Sequence, residues 1–163
     1  MRMNTILFVI LIASPTYAQA VDTEVRLELR VPQATCALMI QEHVDFGAVT
    51  GRQEMLRLSP SSNRHQTPGR FTLSGQYASE YMVSIDFPSQ ITGPGTPLAY
   101  EGQWEQATAA TGSFKMIPGL AFHQSAEEPF ERHFRVGGWI RGLSTNTPPG
   151  LYSGQISITV TCN

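Results

Sequence analysis

Lysine is almost absent from this chain of 163 residues: ten of its eleven basic residues are arginine, and Lys115 is the only lysine. Beyond Arg2 the arginines are spread from Arg26 to Arg141 without forming a block. The sequence offers no concentrated basic patch to neutralise phosphates, so no nucleic-acid partner is expected. Cysteine is confined to Cys36 and Cys162, and the four histidines (His43, His65, His123, His133) show no paired ligand spacing with either. A structural zinc site needs four such ligands, so no metal is expected. G-x-S-x-G, S-x-x-K, H-E-x-x-H and the P-loop are all missing. With them go the common signatures of hydrolases, metalloproteases and nucleotide-dependent enzymes. No catalytic residue and no cofactor are expected.

Long apolar runs are also scarce. The one clear example is Ile6 to Ala13, preceded by Arg2 and followed by Ala18-Gln19-Ala20. A basic start, a short apolar stretch and a small-x-small site form a signal peptide, and the run is too short to span a bilayer. Cleavage before Val21 is the first choice, with cleavage after Ala18 close behind. Only Arg2 is lost, so the formal charge moves from -2 to -3 on an exported domain of 143 residues with no later membrane span. In an oxidising compartment an isolated cysteine pair is most simply a disulfide, here Cys36 to Cys162.

An amphipathic strand comes directly after the signal. In Val21 to Val31, Val21, Val25, Leu27, Leu29 and Val31 point one way, while Asp22, Glu24, Arg26, Glu28 and Arg30 point the other, with Thr23 the one break on the apolar face. Such a strand is either the first of its own sheet or a strand offered to another molecule. The rest, residues 32–163, reads as one domain of short alternating segments: 36–40, 44–48, 54–58, 70–73, 81–87, 115–122, 130–140 and 151–162. Loops rich in Gly, Pro, Ser and Asn separate them, at 59–69, 92–97 and 145–150. Only 101–110 has a composition compatible with a helix. This spacing predicts an all-β sandwich. In the last segment Tyr152, Ile156, Ile158, Val160 and Cys162 share one face.

The order of amphipathic strand, Cys36, D-F-G-A-V (45–49), F-T-L-S-G (71–75), F-R-V-G-G (134–138) and P-G-L-Y-S-G-Q-I-S-I-T-V-T (149–161) resembles bacterial pilin-like proteins. It is similar to the spore-coat-U-like subunits of archaic chaperone/usher pili and, at its C-terminal end, to the domain family of unknown function 4402. The resemblance implies an incomplete immunoglobulin-like sandwich completed by an exchanged N-terminal strand. Val21, Val25, Leu27, Leu29 and Val31 would be the donor plugs, and Tyr152, Ile156, Ile158 and Val160 would line part of the receiving groove. It also implies a structural subunit of a fimbria-like surface assembly, with neighbouring subunits, a periplasmic chaperone and an outer-membrane usher as partners. One departure is plain: spore-coat-U-like subunits usually pair their first cysteine with one in the strand matching F-T-L-S-G, and that strand has no cysteine here, so the partner must be Cys162 if a bond forms.

Three smaller features are weighed against this reading. Asp45-Phe46-Gly47 matches the kinase tripeptide by chance, since the Gly-rich loop, the paired lysine and H-R-D are missing. Glu127, Glu128 and Glu131 read as a solvated loop in preference to a calcium site or an acid/base pair. Tyr100, Trp104 and Trp139 offer faces for sugar stacking. Trp139 is expected in the core, and Trp104, in a polar segment, is the exposed candidate. A self-contained sandwich that binds a carbohydrate or a protein partner is the alternative function.

Overall fold

The computed structural model describes residue 29 and residues 33–48, 55–60, 66–127 and 129–163. The strands among the described residues, in chain order, are β1 (Thr35–Glu42), β2 (Met55–Leu58), β3 (Gly69–Gln76), β4 (Glu80–Asp86), β5 (Gln90–Ile91), β6 (Leu98–Ala107), β7 (Lys115–Met116), β8 (Ala121–Ser125), β9 (Phe130–Arg141) and β10 (Ser157–Cys162). All pairings among them are antiparallel. The described residues contain no helix, and the chain is an all-β sandwich of two sheets. No helix among them is long and apolar enough to cross a membrane.

The larger sheet runs β1-β3-β9-β6-β5, with β7 on β6; β9 is its spine, pairing along one side first with β3 and then with β2. The smaller sheet runs β10-β4-β8. Alternation places the core. Tyr81, Val83 and Ile85 of β4 are buried and meet Phe71 and Leu73 of β3, Trp104 of β6 and Phe130, Phe134 and Val136 of β9. Within the larger sheet Phe71 stacks on Phe134 at 4.6 Å between ring centroids, and Tyr81 of the smaller sheet stacks on Phe130 of the larger at 4.7 Å, so aromatic surface joins neighbouring strands and the two sheets alike. A second cluster gathers Leu56, Ile91, Leu98, Tyr100 and Ile140 at one end.

Several expectations are corrected. The segment 101–110 is not helical: most of it belongs to β6, one of the longest strands. Leu98, Tyr100 and Trp104 do alternate inward there, but the intervening inward position is Gly102, where a Cβ would lie 2.2 Å from the Phe87 ring. The ring fills the place of a side chain, which hides the period of two. The stretch 115–122 is two strands, β7 and β8, broken at Pro118-Gly119, since proline has no N–H for a ladder and Gly119 takes a φ of 84°. Residues 44–48 form only a bridge, Asp45 to Thr67, and 151–156 only a bridge from Ser153 to Thr92.

The two tryptophans exchange the roles expected of them. Trp104 is 1% exposed, its indole N–H donating to the Gly119 carbonyl at 2.8 Å, so it is a core residue and offers no sugar-stacking face. Trp139 stands at an odd position of β9 on the outer face, half-buried, with the Arg57 guanidinium 5.4 Å from its ring centroid. The polar neighbours of Trp104 suggested exposure because they occupy the outward positions of the same strand.

Candidate functional site

Among the described residues one side of the sandwich is open. There β10 pairs only with β4 and β1 only with β3, so each is an edge strand of the described sheets, and the two edges lie on the same side, joined by the Cys36–Cys162 disulfide with a Cα–Cα distance of 6.2 Å. The separation lies within the range for an unforced bridge, and the expected cysteine pairing is present.

Residues directly opposite each other in an antiparallel pair share a face. Leu38 stands opposite Leu73 and Ile40 opposite Phe71, so both side chains of β1 point toward the interior. Leu73 and Phe71 are 0% and 2% exposed, whereas Leu38 and Ile40 are 37% and 57% exposed. Across the opening, Ile156, Ile158, Val160 and Cys162 face the core, pack against its cluster and remain only partly buried. Their outward neighbours Ser157, Thr159 and Thr161 are exposed, as the sequence alternation predicts.

Between these rows lies a cleft of about 320 Å³ lined by Ile40, Val44, Phe71, Val136, Ile156 and Ile158. Its rim carries the Arg70–Glu42 ion pair at 3.1 Å. Val44 and Ile156 also border a second recess of about 790 Å³, whose walls include Phe46, Leu56, Leu98, Tyr100, Ile140 and Tyr152. The two spaces therefore adjoin along the open side. Tyr100 donates to the Gly137 carbonyl at 2.9 Å, and burial pushes its phenol up to about 12. Tyr152 does not belong to β10; its hydroxyl donates to the Pro148 carbonyl at 3.2 Å, and its ring lies over Gly93.

The predicted lining residues Ile156, Ile158 and Val160 thus share one row, while Tyr152 serves the adjoining recess. Of the predicted plugs, Val21, Val25, Leu27 and Val31 lie outside the described residues, and Leu29 is exposed. Leu38, Ile40, Val44 and Phe46 were missed as lining. A signal exists in Ala37 to Ile40, A-L-M-I, an apolar run without alternation on what proves to be an edge strand exposed on both faces.

Other polar clusters offer less. His133 contacts Thr72 Oγ1 through Nδ1 at 3.2 Å and Glu131 through Nε2 at 3.1 Å. The three groups line up as a proton relay would, but Thr72 is buried between Met39 and His133 in the sheet, closed to a substrate. His123 pairs with Glu80, which also accepts from the Asn163 amide. Glu127 and Glu131 are exposed, and Glu128 lies outside the described residues. Among the described residues no group of three or more His, Cys, Asp or Glu side chains is placed to hold a metal ion. Neither known family models nor curated proteins give a match to this chain.

Proposed function

We propose that this chain is an exported structural subunit of a fimbria-like surface assembly, built on an incomplete immunoglobulin-like sandwich and polymerising by donor-strand exchange. The observation that supports this most is the contrast along β1. Leu38 and Ile40 point into the sandwich beside fully buried partners yet stay open to solvent, as do the facing residues of β10. Two unpaired edges and two uncovered apolar rows are what the removal of one strand leaves. An alternating strand satisfies the free backbone groups and buries its apolar face in one step. Val21 to Val31 has that pattern and precedes the domain in sequence. At roughly 25 cal/mol per Å², burying its five aliphatic side chains contributes several kcal/mol. A periplasmic chaperone would cover the groove before assembly, and an outer-membrane usher would arrange the exchange.

The test uses the mature chain, Val21 to Asn163. Made without a chaperone it is expected to be unstable or to self-polymerise, and Leu27→Asp with Leu29→Asp is expected to stop polymerisation while leaving a chaperone-binding subunit. A stable monomer that never exchanges strands, and that simply unfolds when the arm is altered, would overturn the proposal. The recess beside Tyr100 and Phe46 supports a second reading, a self-contained sandwich that binds a ligand there. That reading predicts a stable monomer whose thermal midpoint rises with the ligand.

A further inference from the structure

We propose that the Cys36–Cys162 disulfide is the stop that sets how far an incoming strand penetrates the groove, and so fixes its register. The inference rests on the donor-strand reading and adds to it the position at which insertion ends.

A strand seated between β1 and β10 with ladder bonds to both needs two inter-strand spacings, about 9.5 Å between the flanking backbones. At the disulfide the two backbones stand 6.2 Å apart at Cα, too close for a third strand. Cys36 is the second residue of β1 and Cys162 the last of β10, so the pinch lies at one end of both edges. Away from it a cleft of about 320 Å³ lies between Ile40 and Val44 on one side and Ile156 and Ile158 on the other. The opening is therefore a wedge, closed at the covalent bridge and adjoining the larger recess at its other end, where the two share Val44 and Ile156.

A stop of this kind answers a difficulty set by the arm itself. Strand register is weakly specified where one aliphatic plug can replace another, because a slip of two residues keeps the same face inward. Val25, Leu27, Leu29 and Val31 are near-equivalent plugs. A fixed wall at the end of the wedge penalises every slip that drives the strand toward Cys162. The occupant is the Val21 to Val31 segment of a second copy of this chain.

The test places p-benzoylphenylalanine at Ser157 or at Thr161, outward positions of β10 about 13 Å apart along the strand, in the oxidised mature chain. Inter-copy crosslinks to residues 21–31 are then mapped by mass spectrometry after irradiation. Capture is expected at Ser157 and its loss at Thr161. In a Cys36→Ala/Cys162→Ala background, capture is expected at both positions with several registers. Equal capture at the two positions in oxidised protein would overturn the stop and leave donor-strand exchange standing. Capture confined to Ser157 even without the cysteines would assign the limit to something other than the disulfide, with the same consequence. Absence of any inter-copy crosslink at either position would overturn the donor-strand reading and the stop together. Where the cysteine-free variant does not fold, the comparison of the two positions in oxidised protein decides.

Discussion

Leu38 and Leu73 stand opposite each other in one antiparallel pair and point into the same interior, yet Leu73 is completely buried and Leu38 is 37% exposed. The isolated protein should read this difference directly. Leu73→Ala is expected to cost about 2–5 kcal/mol, as for a large-to-small change in a packed core. Leu38→Ala should stay below about 1 kcal/mol, as at a surface. Under the proposed strand exchange, the Leu38 cost should rise toward that of Leu73 once the groove is filled. Urea unfolding of the isolated chain and of the proposed assembled form measures both.

The cysteine pair closes a loop with a sequence separation of 126. Reduction or Cys36→Ala/Cys162→Ala is expected to lower stability by about 5 kcal/mol in the chain-entropy model. Denaturant midpoints with and without reductant report the change, and intact mass under non-reducing conditions reports the bond.

Trp104 should behave as a core anchor. Trp104→Ala is expected to cost about 3–5 kcal/mol, and to leave the Gly119 carbonyl without its donor. Trp139→Phe should be mild and should remove the red-shifted part of the fluorescence, leaving the blue-shifted, quencher-resistant emission of Trp104. Emission spectra with iodide separate the two.

Gly102 and Phe87 should be coupled. A Cβ at Gly102 meets the Phe87 ring at 2.2 Å, so Gly102→Ala is expected to cost about 1–3 kcal/mol through overpacking. Phe87→Leu should relieve part of that cost. A double-mutant cycle by thermal unfolding gives the coupling, and strict additivity would contradict the contact.

Alkaline pH should weaken the fold through Tyr100. Its phenol is raised by burial from 10.0 to about 12, so the folded state keeps a proton that the unfolded state releases. Its contribution is whole below pH 10 and is lost as pH rises through 12, to a total of roughly 2–3 kcal/mol. Burial also raises Tyr81, which the Arg132 charge partly opposes, and this adds loss in the same direction. Tyr100→Phe should flatten the pH 10–12 slope of stability while leaving the Gly137 carbonyl without its hydroxyl donor.

Alternation made the sheet elements legible where each inward position carries an apolar side chain, as in β4 and β10. It failed where another part of the chain supplies that bulk: Phe87 fills the inward position at Gly102, so β6 read as a weak helix. Composition also misjudged the tryptophans, because the polar residues around Trp104 and the apolar residues around Trp139 sit on faces that only sheet pairing assigns. The disulfide was legible from the scarcity of cysteine. The open side was half legible: the last strand announced one wall, but that β1 is an edge with uncovered inward residues depends on its register with β3, a long-range pairing that local sequence does not encode.

The covalent link between Cys36 and Cys162 also decides where mechanical tension travels. A pull applied between the segment before Cys36 and the residue after Cys162 passes through the sulfur bridge, and the 126-residue separation between them carries none of the load. Without the bridge, that stretch could lengthen to roughly 400 Å when drawn out. With it, end-to-end force bypasses the sandwich, and extension is confined to the chain outside the bridge.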